Sequence, residues 1–312
     1  MCFKYKSSFV SSDGSTDIYY TVWEPDSKPC AVLQICHGMV EFIERYDEFA
    51  RFLTDRNIAV IGHDHIGHGD SVNSTDDWGF FHEERGNEIL IEDINTMMKV
   101  AKSKWSVDNY FLMGHSMGSF LVRQYMFTYP KNDLSGCIIM GTGYKFEPLI
   151  YIAKIASYIE GCVRGFKKPS NFVTKIFVKE NIKMFPNARS VNDWLTKDRD
   201  IVREYNSNPK TSFRFSNRAY YDLFRGMLTI YKRKNTSKLN KNIPYLLVSG
   251  DCDPVGDFGE GVKKVYKEYK SLGILDVSIK LFRDDRHEIL NEIDRNDVYK
   301  YIYEWIEQRI KY

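Results

Sequence analysis

The sequence predicts an α/β protein, in which a mostly parallel, eight-stranded sheet is flanked by helices and interrupted by a helical insertion. Short apolar runs recur along the chain without polar alternation, as expected of strands that are buried on both faces. Helical stretches separate these runs, which is the pattern of parallel strands joined by crossover helices. The alternation stops at about residue 144 and resumes at about residue 243, so we expect an insertion between them.

The elements can be assigned in order along the chain. A hairpin comes first, because residues 4–12 and 17–24 flank Asp13-Gly14, a dipeptide typical of tight turns. Further strands are predicted at 30–36, 58–61, 110–113, 137–140, 245–248 and 277–282. Helices are predicted at 43–56, 86–104, 117–129, 258–272 and 296–310.

The domain organisation follows from this interruption. Residues 1–143 and 241–312 are expected to form one α/β core, and residues 144–240 a mostly helical cap. The cap is rich in Lys, Arg, Phe and Tyr, and no repeat or low-complexity linker divides the chain elsewhere.

Composition narrows the class of protein. The formal net charge is +2, so a polyanion-binding surface is not indicated and nucleic acid is not an expected partner. The six cysteines include no CxxC pair, which favours reduced thiols in a cytoplasmic protein. The N-terminus has no apolar signal region, and no apolar run is long enough to span a membrane.

A nucleophilic serine is indicated by Gly114-His115-Ser116-Met117-Gly118, which follows a predicted strand and precedes a predicted helix. A strand, a tight turn and a helix are what a nucleophile elbow requires, because the turn projects the serine oxygen from the sheet edge. The helix N-terminus also favours developing negative charge at that position. Ser116 is therefore the predicted nucleophile.

A serine hydroxyl needs a base, and a third group must orient that base. Where the serine lies on such an elbow, the chain order is serine, acid, histidine. The sequence holds seven histidines, and His287 alone follows Ser116. It comes after the last predicted strand, so His287 is the predicted base.

The acid is expected after the preceding strand, where Asp251 and Asp253 compete. Asp253 precedes a proline, which favours an extended backbone that could aim its carboxylate outward. We favour Asp253 as the acid and assign Asp251 to a turn.

Acyl transfer also needs two hydrogen-bond donors for the oxyanion. The N–H of Met117, after the nucleophile, and the N–H of Met39, in the loop after the 30–36 strand, are the candidates. Gly38 lets the backbone of that loop approach a substrate closely. The histidines of 63–68 lie in a glycine-rich turn without the spacing of a metal motif, so neither a metal nor a cofactor is expected.

Several motifs together resemble the monoacylglycerol lipase and bacterial lysophospholipase branch of the α/β hydrolases, which is similar to the serine aminopeptidase S33 family. The motifs are HGMVEFIERY (37–46), DHIGHGDS (64–71), DWGFF (77–81), GHSMG (114–118), GDCDPVG (250–256) and RHEILNE (286–292). The resemblance implies the α/β-hydrolase fold and supports Ser116, Asp253 and His287 as a triad with Met39 and Met117 as oxyanion donors.

The resemblance also implies how the pocket is built. Glu41 and Arg45 would shape its polar end, and Gly38 and His115 complete the candidate substrate-binding residues. Animal glyceride lipases of the family carry a second histidine three residues after the base, where this chain has Leu290.

The expected activity is hydrolysis of the ester of a single-acyl lipid, either a lysophospholipid or a monoacylglycerol. A small-ester esterase and a serine aminopeptidase are alternatives on the same fold, and a non-catalytic binding protein is a remote one. The apolar stretch 148–159 in the cap is either an interfacial helix that contacts membrane or micelles, or a helix packed over the pocket. The oligomeric state is left open.

Overall fold

One eight-stranded sheet forms the centre of the computed structural model, which describes residues 2–311. The strands are β1 Cys2–Val10, β2 Asp17–Pro25, β3 Ala31–Cys36, β4 Ile58–His63, β5 Tyr110–His115, β6 Gly136–Met140, β7 Tyr245–Gly250 and β8 Val277–Phe282. Their order is β1-β2-β4-β3-β5-β6-β7-β8. The pairs β1–β2 and β2–β4 are antiparallel and the other pairs are parallel, which confirms the predicted sheet.

Helices flank this sheet and also form the insertion. The helices are α1 Asp47–Thr54, α2 Gly86–Lys104, α3 Met117–Thr128, α4 Glu147–Arg164, α5 Asn171–Ile182, α6 Arg199–Ser207, α7 Asn217–Thr229, α8 Arg233–Thr236, α9 Glu260–Ser271 and α10 Arg295–Glu307. The helix predicted at 43–56 is shorter, because Ile43–Tyr46 form a 3₁₀ turn whose first N–H donates to Asp64.

The continuous apolar runs are explained by burial of both faces of the sheet. Val32 and Cys36 of β3 pack in one core cluster, with residues of α2, α3 and α9. Leu33 and Ile35 of the same strand pack in a second cluster, with residues of α1 and α10. Neighbouring residues of one strand therefore lie in different cores, and each face needs an apolar side chain.

The parallel strands bring four loops to one edge of the sheet. The loop that begins at His37 follows β3, Ser116 follows β5, Asp253 follows β7 and His287 follows β8. Because parallel strands present their carboxyl ends at the same edge, residues distant in the sequence meet there.

A cluster of buried histidines supports the loop after β3. The ring centroids of His37 and His65 are 4.3 Å apart, and those of His63 and His65 are 4.8 Å apart. Burial lowers the pKa of His37 to about 4 and that of His63 to about 3, so both rings are neutral at pH 7. His37 Nε2 accepts the backbone N–H of His65, which leaves Nδ1–H to donate to the carbonyl of Gly38 at 2.8 Å. These contacts fix the backbone beside Ser116.

The insertion between β6 and β7 contains α4 to α8 and confirms that a helical unit interrupts the sheet. Helix α4 packs against α7 through its buried residues Ile150, Ser157 and Gly161. The division into core (1–143 and 241–312) and cap (144–240) stays a prediction. Within residues 2–311, no helix combines the length and the hydrophobicity needed to cross a bilayer.

Candidate active site

Ser116 lies at a strained turn between β5 and α3. Its backbone has φ 51° and ψ −118°, a conformation that costs energy for any residue except glycine. A Cβ atom on Gly114 would lie 2.3 Å from the carbonyl oxygen of Gly118, and one on Gly118 would lie 2.1 Å from that of Cys36. Only glycine fits at either position, so the two glycines of the motif permit the turn that exposes Ser116.

His287 and Asp253 form a buried pair near this serine. The distance from His287 Nδ1 to Asp253 Oδ1 is 2.9 Å. Ser249 donates to the other carboxylate oxygen, and the N–H of Val255 donates to Oδ1. Burial alone would raise the pKa of Asp253, but the neighbouring His287 and these hydrogen bonds hold it below its ordinary value.

Asp251 and Asp253, the two acids considered from the sequence, make different contacts in the structure. Asp251 accepts the backbone N–H of Asp284 at 2.7 Å, which closes a turn beside β8, whereas Asp253 meets the imidazole. With Nδ1 of His287 facing Asp253, Nε2 is the ring nitrogen available to a serine hydroxyl.

The imidazole of His287 has two other rings beside it. The ring of His115 lies 4.8 Å from it and the ring of Trp194 lies 5.0 Å from it, centroid to centroid. His115 belongs to β5, and Trp194 belongs to the cap. A strand of the sheet and a segment of the helical insertion therefore both contribute a ring next to the imidazole.

The predicted oxyanion donors lie on either side of Ser116. Met117 begins α3, and the first N–H groups of a helix have no partner within that helix. Met39 and Gly38 line the same cavity as Ser116, and a Cβ atom on Gly38 would lie 3.0 Å from Cβ of Ser116. The N–H of Gly38 donates to Glu41, so the loop is tied down immediately before Met39.

A buried charge network links these loops. Arg45 forms a bidentate pair with Glu288, with both N–O distances 2.7 Å, and contacts Glu41 at 3.1 Å. Glu41 also contacts Nδ1 of His115 at 3.0 Å and accepts a hydrogen bond from Tyr46. The network joins the loop after β3, the nucleophile strand and the loop after β8.

Each charge of the network favours its partner's ionised form. Burial opposes ionisation of both carboxyl groups, but His115 and Arg45 lower the pKa of Glu41, and Arg45 lowers that of Glu288. Burial likewise works against the charge on His115, yet the hydrogen bond and the charge of Glu41 raise its pKa above the ordinary value.

A cavity of about 970 Å³ opens onto Ser116 and His287 beneath the cap. Of the predicted substrate-binding residues, Gly38, Glu41 and His115 line it. Arg45 instead lies behind the carboxylates and lines a separate small cavity. The cap contributes polar side chains to the lining, among them Lys175, Lys179 and Arg214, and it also contributes apolar walls. The apolar walls include Phe177, Val178, Ile182, Trp194, Leu195, Phe213, Phe215 and Tyr220.

Two residues of the site were missed by sequence reasoning. Glu288 lines the cavity and pairs with Arg45, although its only sequence signal is its place after His287 in RHEILNE. Trp194 packs on the imidazole from a cap segment with no recognisable motif. Leu290, at the position where the resemblance led us to look for a second histidine, is buried in the core cluster that also contains residues of α1 and α10.

Comparison with known proteins places this site in context. The protein family described as serine aminopeptidase, S33, matches residues 27–294. Human monoglyceride lipase is 25% identical over 304 residues, covering 96% of this chain and 89% of that enzyme. The monoacylglycerol lipase of Mycolicibacterium smegmatis is 24% identical over 304 residues, covering 94% of each.

Solved structures share the fold of this chain. A highly thermostable carboxyl esterase from Bacillus coagulans, in complex with glycerol, superimposes with a TM-score of 0.91 and 28% identity over 99% of both chains. A soluble variant of monoglyceride lipase from Saccharomyces cerevisiae, with a substrate analogue, has a TM-score of 0.72 and 19% identity, covering 99% of this chain and 96% of that one. At 19% identity, the likeness to the yeast enzyme shows a common fold only.

The buried network generates a stability prediction. Arg45→Met leaves Glu41 and Glu288 buried without their cation, and breaking a buried pair in this way costs about 3–5 kcal/mol. Arg51→Met is the matched control, because Arg51 pairs with Asp47 on the surface, where an ion pair contributes about 0–1 kcal/mol. Urea unfolding at pH 7 measures both free energies. Equal losses of unfolding free energy in the two variants would show that the buried network contributes no more to stability than a surface ion pair does.

Proposed function

Because the chain belongs to the serine aminopeptidase S33 family and is a serine hydrolase of the α/β-hydrolase fold, we propose that it hydrolyses single-acyl lipids, lysophospholipids or monoacylglycerols, at their carboxylic ester. The observation that carries the proposal is the cavity of about 970 Å³, lined by Ser116, His287 and the apolar cap side chains. This volume lies at the upper end of the roughly 300–1,000 Å³ typical of ligand pockets.

In the first half of the reaction, the hydroxyl of Ser116 attacks the ester carbonyl while Nε2 of His287 takes its proton. The N–H groups of Met39 and Met117 stabilise the oxyanion that forms. His287 then gives the proton to the leaving alcohol, and the acyl group remains on Ser116. The carboxylate of Asp253 holds the imidazole in its tautomer and stabilises its charge.

In the second half, water replaces the alcohol. His287 takes a proton from the water, which attacks the acyl-enzyme carbonyl through the same oxyanion site. The C–O bond to Ser116 breaks, the serine regains the proton, and the carboxylic acid leaves. Apart from the substrate and water, the two halves of this mechanism use only groups of the protein.

The division of the cavity supports a lipid ester as substrate. Aromatic and aliphatic cap residues suit an acyl chain, and the polar side chains of Glu41, His115 and Glu288 suit the hydroxyls of an alcohol. The relatives support the same proposal, since they are monoglyceride lipases and an esterase crystallised with glycerol. A small-ester esterase and an aminopeptidase on this fold remain the alternatives to be tested.

Turnover of three substrates tests the proposal. Wild type is expected to release fatty acid from monoolein or lysophosphatidylcholine and to leave an aminoacyl p-nitroanilide intact. Ser116→Ala should lower kcat by roughly 10⁴-fold or more, because the nucleophile is lost. Ser207→Ala, an exposed serine of α6, is the control and should match wild type.

The outcomes are distinct. Hydrolysis of the anilide with no action on either lipid would contradict a lipid ester as the substrate and favour aminopeptidase activity. Equal ester turnover by wild type and Ser116→Ala would contradict the assignment of Ser116 as the nucleophile.

We also propose that the cap docks on lipid surfaces. The outer face of α4 exposes large apolar side chains, among them Leu149, Ile152 and Ile159, each more than half exposed. Phe172 and Ile176 of α5 extend this surface, and α5 itself lines the cavity. Helices α4 and α5 and the turn between them also carry lysines and arginines, a composition found in helices that bind in the membrane interface. These residues are Lys154, Arg164, Lys167, Lys168, Lys175 and Lys179.

Vesicle binding tests the docking surface. The double variant Ile152→Glu/Ile159→Glu should bind phosphatidylcholine/phosphatidylglycerol vesicles at least about tenfold more weakly, because burial of two apolar side chains is lost. Leu275→Glu changes a residue outside the cap that is even more exposed, and it serves as control. Co-sedimentation gives the affinities, and turnover of soluble p-nitrophenyl butyrate should be unchanged. Equal binding by both variants would contradict docking through α4.

A further inference from the structure

The loop that carries His287 is bound along its length by one segment of the cap. We call residues 283–292 the base loop and residues 193–197 the clamp segment. Neither contains an α-helix or a strand, so their backbone groups must find partners outside regular structure. The two segments are about ninety residues apart in sequence, and they supply many of these partners to each other.

The backbone of the base loop at His287 and Glu288 is hydrogen-bonded directly to the clamp segment. The N–H of Glu288 donates to the carbonyl of Leu195 at 2.7 Å, and that of His287 points to the carbonyl of Trp194 at 3.5 Å. The Thr196 hydroxyl donates to the carbonyl of Asn291 at 2.8 Å. The guanidinium of Arg286 reaches back to the carbonyls of Asp193 and Thr196.

Lys197 closes this contact with charge. Its ammonium lies 2.7 Å from Oδ1 of Asp285 and 3.9 Å from Oε2 of Glu292, and both carboxylates are fully buried. The backbone N–H of Lys197 also donates to Glu292 at 3.0 Å, and the other oxygen of Glu292 accepts the N–H of Arg286. The cation needed by two buried acids of the base loop is therefore supplied by the cap.

The same segment touches the imidazole itself. The ring of Trp194 lies beside the imidazole of His287, with the two centroids 5.0 Å apart, and the ring of His115 lies 4.8 Å from the same imidazole. A shift of the clamp segment would move the carbonyl partners of residues 287 and 288 together with the ring of Trp194. Displacement of a reacting group by about 1 Å can cost about 10²-fold in rate.

We propose that the clamp segment positions the base His287, and that Lys197 locks its register on the base loop through Asp285 and Glu292. Lys197 is thus a positioning residue that belongs to the cap but acts on the chemistry of the core. The inference rests on the proposed function, since it requires His287 to be the base.

Steady-state kinetics on p-nitrophenyl butyrate test the role of Lys197. Lys197→Met should lower kcat by about 10–100-fold and change KM by less than about threefold, because alignment is lost and binding is not. Lys197→Arg keeps the charge and should recover most of kcat. Lys234→Met, an exposed cap lysine on α8, is the matched control and should behave as wild type.

A second variant separates positioning from simple relief of buried charge. Lys197→Met/Asp285→Asn removes the carboxylate that Lys197→Met leaves unpaired, so it should regain thermal stability while kcat stays low. Recovery of wild-type kcat in this double variant would overturn the proposal. So would a wild-type kcat in Lys197→Met, or a raised KM at unchanged kcat. Failure of the proposed function is distinct, because wild type itself would then show no turnover that depends on Ser116.

Discussion

The strained backbone of Ser116 is the constraint on which the rest of the site depends. A residue with φ 51° and ψ −118° persists only where its surroundings enforce that conformation. The enforcement comes from β5, from the hydrogen bond of the Ser116 N–H to Met140 on β6, and from close packing of Gly114 and Gly118. Because this turn fixes Ser116 and the start of α3 together, a single feature of the fold places both the proposed nucleophile and the N–H of Met117, a proposed oxyanion donor.

The other participants lie on loops, and buried polar contacts fix them there. Arg45 ties the loop after β3 to Glu288, and the cap reaches the same base loop through Lys197. The side chain of Arg45 is only 10% exposed and its partner Glu288 is buried, whereas the partly exposed Lys197 pairs with the buried Asp285, and removal of the cation from a buried carboxylate is costly in either case. The helical insertion therefore contacts the loop that carries His287 and also lines the cavity.

Much of this architecture could be predicted from the sequence because its signals are local. Apolar runs identified the strands, GHSMG identified the elbow, and chain order left His287 as the base without a competitor. The preference for Asp253 over Asp251 rested on the following proline, because the sequence does not show which carboxylate the loop turns inward. The contacts of Arg45 with Glu288 and of Lys197 with Asp285 could not be predicted, since they join residues 243 and 88 positions apart without any spacing pattern.

The identity of the nucleophile is the central claim, and covalent labelling tests it most directly. Wild type is treated with a fluorophosphonate, digested with trypsin, and the modified residue is located by tandem mass spectrometry. The account predicts a single phosphonyl adduct on the oxygen of Ser116, because the oxyanion site and His287 activate that hydroxyl alone. An adduct on another serine, or an unlabelled protein that still hydrolyses esters, would contradict it.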